Sequence, residues 1–190
     1  MKPNYIGIIG GILAFISLAL AWWTLSLSVT EMGITISGEV SIYPYQAKAS
    51  MIGLSETIPM DIWFGWAALI LIVIGGLLGI VGSVTKYSRK FLISGGLLAL
   101  LSIIIFAAGL QMGLLDLQRQ LLEFDMSFTG LGLFSSGTIN LGYGIIANYS
   151  TYLSFGFWLA LVAAIVMLIA ALRKVEVAPP ILPPPPPPPT

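Results

Sequence analysis

Gly-Gly-Ile-Leu-Ala-Phe-Ile-Ser at residues 10–17 recurs 85 positions later as Gly-Gly-Leu-Leu-Ala-Leu-Leu-Ser at residues 95–102. Each copy lies in a long apolar stretch that leads into a polar, turn-rich segment. Each polar segment ends at a second apolar stretch, which begins with an aromatic run at residues 64–66 in the first half and 155–158 in the second. This repetition predicts a duplicated unit of helix, loop and helix.

The composition is typical of an integral membrane protein. Of the 190 residues, 57% are hydrophobic and only 8% are charged, which is far from the balance of a soluble domain. The chain contains neither Cys nor His, so it lacks disulfides, thiolate chemistry and the usual side chains for zinc or haem. Eight basic and eight acidic residues balance, so no net basic field attracts nucleic acid. We expect no catalytic, cofactor or metal site, and no enzyme.

Four apolar stretches have about the 20 residues that a membrane-spanning helix requires. They predict spans at residues 5–25, 62–84, 91–112 and 152–172, with connecting loops at 26–61 and 113–151. Residues 1–174 would form the membrane domain, and residues 175–190 a Pro-rich tail. Because both copies of the repeat enter the membrane in the same direction, the predicted repeat is parallel, with a pseudo-twofold axis along the membrane normal.

The distribution of charge predicts the orientation. Six of the eight basic residues fall on the side of the two termini: Lys2, Lys86, Arg89, Lys90, Arg173 and Lys174. Seven of the eight acidic residues lie in the two large loops. Cytoplasmic loops retain positive charge, so both termini are expected in the cytoplasm and both large loops outside. Aromatic residues near the predicted outer ends, Trp22, Trp23 and Tyr149 among them, are expected at the headgroup level.

Both large loops have the pattern of β-strands. Between Ile34 and Ile42, apolar and polar residues alternate with a period of two, and Gly38 marks a candidate bulge. In the second loop, helical periodicity continues past the third span, where Asp116 and Arg119 are spaced for an ion pair. Strands are then predicted at residues 127–134 and 138–146, around a turn at residues 135–137. Each loop is marginal alone, so we expect the two to join in one antiparallel sheet.

The predicted fold is therefore an integral membrane all-α four-helix bundle, a parallel two-helix repeat, with a small antiparallel β-sheet formed by the two outer loops. This layout resembles that of claudin-type four-span membrane proteins, in which a strand-bearing first loop and a long third helix occur. The resemblance implies the layout alone. The cysteines of that family are absent, and Trp22 and Trp23 are the only residues near its tryptophan motif, so its sealing function is not implied.

Small residues recur along all four predicted helices at the spacing that lets helix backbones approach closely in lipid. We predict that these residues pack the bundle, with a dimerisation face as the alternative: Gly7, Gly11, Gly75, Gly79, Gly95, Ala99, Gly156 and Ala160. The spans contain no ionisable side chain, which argues against a pump or coupled transporter. Serine hydroxyls in the spans are expected to bond carbonyls one turn back or to bridge helices.

Two further features could bind partners or be modified. Asn148-Tyr149-Ser150 is a glycosylation sequon on the predicted outer side, with Asn148 as the acceptor. The tail contains a run suited to the extended polyproline II form, which is either a ligand for a cytoplasmic polyproline-binding protein or a stiff spacer. The run comprises Pro183, Pro184, Pro185, Pro186, Pro187, Pro188 and Pro189.

These patterns favour a non-enzymatic membrane scaffold whose β-rich extracellular platform associates with other membrane proteins or with a second copy of the chain. Two alternatives remain open. The chain could be an accessory subunit of a larger respiratory or transport complex, or a passive pore or carrier lined by hydroxyl and backbone groups. Apart from such proteins, the expected partner is the lipid bilayer, and nucleic acid is not expected.

Overall fold

The computed structural model describes residues 3–31, 34–51, 54–58, 62–85, 88–123, 127–128, 130–140 and 146–172. These residues form four helices and seven strands. The helices are α1 (Tyr5–Leu18), α2 (Trp63–Val84), α3 (Ser88–Leu122) and α4 (Phe155–Leu172). The strands are β1 (Trp23–Glu31), β2 (Ile34–Tyr43), β3 (Gln46–Met51), β4 (Leu54–Ile58), β5 (Ser127–Phe128), β6 (Ser135–Asn140) and β7 (Ile146–Leu153).

The four helices pack side by side, each against two others. Helix α1 contacts α2 and α4, and α3 contacts the same two helices from the opposite side. Helices α2, α3 and α4 are each long and apolar enough to cross a membrane. Helix α1 is also apolar but has 14 residues, or about 21 Å, against a hydrocarbon thickness of about 30 Å.

Helix α1 is shorter than the span predicted at residues 5–25. It ends at Leu18, and residues 23–25 already belong to strand β1. Hydropathy does not locate the boundary between α1 and β1, because Trp22, Trp23 and Leu25 are as apolar as the helix. Helix α3 agrees better with prediction, since its 35 residues continue ten positions past the predicted span. The predicted ion pair is present there, with Arg119 Nη1 3.3 Å from Asp116 Oδ1.

Asn4 fixes the start of α1 to the ends of two other helices. Its side-chain Oδ1 accepts a hydrogen bond from the Gly7 amide at 3.4 Å, and its Nδ2 donates to the Ala170 carbonyl of α4 at 3.0 Å. Its backbone amide donates to the Ser83 carbonyl of α2 at 2.9 Å. Asn4 therefore caps one helix while linking it to α2 and α4.

Replacing Asn4 with alanine is expected to lower the free energy of unfolding by about 1–2 kcal/mol, because both side-chain hydrogen bonds are lost. The N4D variant keeps the acceptor for the Gly7 amide but loses the donor to Ala170. It should therefore fall between wild type and N4A in thermal unfolding of the protein in detergent micelles. Equal stability of N4A and wild type would contradict the capping role.

The strands form one antiparallel sheet in the order β4-β3-β2-β1-β7-β6-β5. Strands β1 to β4 come from the first large loop and β5 to β7 from the second. The two sets join where β1 pairs with β7, with Trp23 opposite Leu153 and Val29 opposite Ala147. The prediction that both loops build one antiparallel sheet is confirmed.

Two details of the predicted strands are wrong. Residues 135–137 are not a turn, because they form the first half of β6 and pair with Thr151, Ser150 and Tyr149 of β7. The Ser135 amide also donates to Thr151 Oγ1 at 2.9 Å, which holds this end of the strand in the sheet. Gly38 does not form a bulge, since it pairs in continuous register with Leu27 on one side and Met51 on the other.

Side chains alternate between two chemically different faces of the sheet. The apolar face carries Trp23, Ile42, Ala47, Ala147 and Tyr149, all of which are buried in one hydrophobic core with residues of the helices. This core includes Leu110 and Leu114 of α3, so the C-terminal half of that helix packs under the sheet. The opposite face carries mainly serine and threonine.

Trp22 lies between the helices and the sheet. It is fully buried, with its ring edge-to-face on Phe106 at 5.0 Å and on Phe157 at 6.2 Å between centroids. Its Nε1 donates to the Ser17 carbonyl at 2.9 Å. The rings of Trp22, Trp23 and Tyr149 are buried in the core, whereas Trp63, Trp66 and Trp158 are exposed. That these aromatic residues lie at the headgroup level stays a prediction.

Candidate functional site

Glycine residues of the repeated phrase lie where helix backbones approach. A Cβ added to Gly95 of α3 would lie 2.6 Å from the Gly75 carbonyl oxygen of α2, and a Cβ on Gly75 would lie 2.8 Å from the Gly95 oxygen. In the first copy, a Cβ on Gly11 would lie 2.7 Å from the carbonyl oxygen of Gly76. Neither crossing has room for a side chain at these positions.

The other glycine of each copy faces α4. A Cβ on Gly10 would lie 3.2 Å from the Ala163 carbonyl oxygen and 2.7 Å from Cγ of Met167. A Cβ on Gly96 would lie 3.1 Å from the Ala164 carbonyl oxygen. Each copy of the phrase therefore contacts two helices, one through each glycine.

The remaining predicted packing residues are buried in different settings. Gly7 lies against Ser83 and Leu92, and Gly79 lies against the Met167 side chain. Ala99 and Ala160 are fully buried in the core. Gly156 differs from the prediction, because it packs on the connection between α1 and β1 and not on a helix. Its amide donates to the Ala21 carbonyl at 2.9 Å, and a Cβ there would lie 2.6 Å from the Leu20 carbonyl oxygen.

Two buried serines in the helices bond carbonyls one turn back, as expected. Ser17 Oγ donates to the Ala14 carbonyl and Ser83 Oγ to the Gly79 carbonyl, both at 2.6 Å. Ser102, which corresponds to Ser17 in the second copy, is fully buried, and its Oγ has no partner among the described residues. The interior between the helices is otherwise filled by large apolar side chains such as Ile72, Phe106 and Met167.

The polar face of the sheet carries a row of polar side chains across six strands, five of them hydroxyls and one a carboxylate. Direct pairing of neighbours aligns Ser136, Ser150, Ser26, Glu39, Ser50 and Ser55, in that order from β6 to β4. A second row, two residues further along the strands, contains Thr138, Asn148, Ser28 and Ser37. The sequence alone does not reveal this face, because the rows exist only once the strands are paired.

A groove of about 630 Å³ lies on this polar face. Parts of the two rows line it: Ser28, Ser37 and Asn148 from one row, and Ser26, Glu39, Ser50, Ser55 and Ser150 from the other. The residues between the rows also line it, namely Leu27, Gly38, Met51, Leu54 and Tyr149, although the Tyr149 side chain itself is buried on the other face. Among the described residues, Glu39 is the one carboxylate of this lining, and its Oε1 accepts a hydrogen bond from Ser41 Oγ at 2.9 Å.

The sheet ends on one side at strand β4, beside a cluster of exposed apolar residues. Leu54 of β4 is 78% exposed, and its partner Met51 of β3 is 57% exposed. Ile34 and Ile36 of β2, on the same face, are also exposed. These four residues, called the apolar corner below, lie on the apolar face but outside the part of it that the core covers.

The predicted modification and tail sites differ in what the structure describes. Asn148 is exposed on the polar face of β7, where its side chain is accessible to solvent. Whether Asn148 carries a glycan stays a prediction, which the mass of the protein from a glycosylating host would test. The proline run at residues 183–189 lies outside the described residues.

The acidic residues do not assemble into a metal site in the described part of the chain, where no group of three potential ligands occurs. Comparison with protein-family models and with curated proteins finds no match for this chain. The geometry of the bundle and the two-faced sheet therefore carries the functional argument alone.

Proposed function

We propose that the protein is a non-enzymatic membrane scaffold, whose extracellular sheet joins a second copy of the chain through strand β4. The observation that carries the proposal is the apolar corner beside an unpaired sheet edge. An edge strand presents unpaired backbone N–H and C=O groups, which are a template for pairing with another chain. Strand β4 is short and carries one charged residue, Glu56, between its apolar ends Leu54 and Ile58. Antiparallel pairing of β4 with β4 of a second copy would be a two-fold symmetric contact.

The proposal includes four membrane spans, with α1 as the short one. The contacts at the two ends of α4 support this reading. Asn4 bonds Ala170 near one end of α4, and Ala21 bonds Gly156 near the other. The segment from Asn4 to Ala21 therefore runs along nearly the whole of α4, although only part of it is helical. In this proposal the short non-helical piece after Leu18 makes up the missing length.

The proposal also includes the parallel repeat. Its support is that the glycine contacts of the two copies correspond. Gly10 of α1 contacts Ala163 of α4, and the equivalent Gly95 of α3 contacts Gly75 of α2. Gly11 of α1 contacts Gly76 of α2, and the equivalent Gly96 of α3 contacts Ala164 of α4. Equivalent positions differ by 85 between α1 and α3, and by 88 between α2 and α4. The same pairing of each helix with two neighbours would follow from a pseudo-twofold axis along the membrane normal. The proposed layout resembles that of claudin-type proteins, and no function of that family is proposed for this chain.

The orientation and the tail complete the proposal. Exposed Arg89 and Lys90 lie at the start of α3, at the end of the bundle where Asn4 meets Ser83 and Ala170. Positive charge at this end supports cytoplasmic termini and an extracellular sheet.

The proline run would then reach the cytoplasm, where an aromatic groove of a partner could bind it. The filled bundle interior supports the scaffold over a pore, and co-purification from native membranes would identify any larger complex.

The absence of cysteine makes the association directly testable, because a single introduced thiol is the only one in the chain. Ser55→Cys on β4 is expected to give a covalent dimer when a membrane-impermeant bis-maleimide is added to intact cells. Ser136→Cys, equally placed on the polar face but on β6, should give little dimer. In the same cells, an impermeant mono-maleimide should label Ser55→Cys and not Arg89→Cys, which reports the orientation separately.

A charged residue on β4 should prevent the association without unfolding the protein. Leu54→Lys places a cation on a side chain that is already exposed, so the monomer loses little. We expect the cross-linked dimer to fall at least fivefold, whereas Leu122→Lys, on an exposed leucine of α3, leaves it unchanged. Equal cross-linking in all variants, or a strictly monomeric protein in mild detergent, would exclude association through β4.

A further inference from the structure

We infer that the groove on the polar face of the sheet binds a neutral saccharide. The inference rests on the proposed extracellular position of the sheet, but not on association through β4. Its basis is the chemistry of the lining: hydroxyl groups on five neighbouring strands, one amide and one carboxylate line a volume of about 630 Å³. That volume falls in the range of about 300–1,000 Å³ that small-molecule sites occupy.

The hydroxyls of the groove are free to bind a ligand. In the described part of the chain, no side-chain hydrogen bond occupies the hydroxyl groups of six lining residues: Ser26, Ser28, Ser37, Ser50, Ser55 and Ser150. A serine hydroxyl donates one hydrogen bond and accepts two, which is also the capacity of each hydroxyl of a sugar. Such a lining matches a ligand whose own groups both donate and accept, all around its surface.

The charges around the groove disfavour anions and divalent cations as ligands. An anion is disfavoured, because Glu39 lines the groove and no Lys or Arg among the described residues does. The nearest cation in the pairing register is Lys48, one row away, and it lies over the Tyr43 ring at 5.2 Å. A divalent cation is disfavoured because a single carboxylate lines the site. An apolar ligand would leave the serine hydroxyls without partners.

Tyr152 provides an aromatic surface beside the groove. It lies on the polar face of β7, two residues from Ser150 and opposite Thr24, and its side chain is 43% exposed. An aromatic ring presents an apolar surface to the C–H face of a sugar ring, while the hydroxyls of the groove bond its edge. Glu39 is a charged acceptor, and its hydrogen bonds to sugar hydroxyls are the strong ones.

Saturation-transfer NMR on the full chain in lipid nanodiscs tests the inference. Sugar-based detergents must be avoided, because their headgroups would compete for the groove. The probes are four neutral disaccharides: maltose, cellobiose, lactose and trehalose. Protein from a host that does not glycosylate keeps Asn148 unmodified. We expect saturation transfer to the protons of at least one disaccharide, with the strongest signals from the carbon-bound protons on the sugar face next to Tyr152.

Variants separate binding in the groove from adventitious contact. Ser37→Trp fills the groove from an exposed position and should abolish the signal, whereas Gln120→Trp, on an exposed site of α3, should keep it. Ser28→Ala and Glu39→Gln should each weaken binding about three- to tenfold, as expected for the loss of one neutral or charged hydrogen bond. Ser55 lines the groove and also lies on β4, so saccharide binding is measured in Ser37→Trp and cross-linking in the Ser37→Trp/Ser55→Cys double variant. Loss of binding with retained cross-linking would show that the saccharide site can be lost without loss of association.

Two results would overturn the inference. The first is the absence of transfer to every disaccharide, or transfer that Ser37→Trp leaves unchanged. The second is a response of the groove to Ca²⁺ alone, lost in Glu39→Gln, which would make the site a cation site. Either result would leave the proposed scaffold function standing, because that proposal is tested by cross-linking through β4 and not by saccharide binding.

Discussion

Replacing Trp22 with alanine is expected to lower the free energy of unfolding by about 3–5 kcal/mol, the usual cost of deleting a fully buried tryptophan. The ring fills the junction between bundle and sheet, where it contacts Phe106 and Phe157 edge-to-face. Its removal also leaves the Ser17 carbonyl without the indole N–H that now donates to it. Both the cavity and the unpaired carbonyl lie at one point, so relaxation of neighbouring side chains cannot restore both.

Trp66 provides the matched control, since its ring is half exposed at the surface of α2. W66A should change the apparent unfolding temperature in detergent far less than W22A. The conservative variant W22F keeps part of the ring packing but loses the hydrogen bond, and should lie between the two. If W22A and W66A were equally stable, Trp22 would not be the central contact that its burial indicates.

A valine at Gly95 is expected to lower the free energy of unfolding by about 3 kcal/mol, the upper end of the usual cost of overpacking a core. The obstacle is backbone, because its Cβ would lie 2.6 Å from the Gly75 carbonyl oxygen. A backbone atom cannot rotate away as a side chain can, so α2 and α3 must separate. Separation would also open the contacts that both helices make with α1 and α4.

Gly113 on the same helix is the control for Gly95. A Cβ there would lie 3.9 Å from Phe64, which is ordinary contact, and the position is exposed. G113V should leave stability within about 0.5 kcal/mol, since valine and glycine differ little in helix propensity. Thermal unfolding of both variants in the same detergent makes the comparison. Similar stabilities for G95V and G113V would rule out a close backbone crossing at Gly95.

The sequence predicts the apolar helices and the strand pattern, because both depend on local periodicity. The joining of both loops in one sheet is predicted from the marginal stability of each loop alone. Strand β1 is not among the predicted strands, although the alternating pattern of a strand is present. From Thr24 to Thr30 polar and apolar residues alternate, but a hydropathy window that began in α1 extended through Leu25. An alternation test applied before the hydropathy test would have found where the helix ends.

Other features depend on pairing that periodicity does not specify. The row of hydroxyls arises only when Ser26 aligns with Glu39 on one side and Ser150 on the other. The latter pair lies more than a hundred residues apart in the chain. Gly156 can be recognised from the sequence as a small packing residue, but its partner is the turn segment after α1. Hydropathy includes this segment in the first span, so the sequence does not predict that partner.

The single seam between β1 and β7 has a consequence for the order in which the chain folds. Strands β1 to β4 are contiguous in sequence and can pair by closing short loops. The pairing of β1 with β7, which places Trp23 opposite Leu153, requires that β7 has been synthesised. Closing so long a loop is slow, and it is late in synthesis. Until then β1 has a free edge that can pair with the wrong chain. The nascent first half is therefore the stage at which this protein is most exposed to misassembly, and the arrival of β7 ends it.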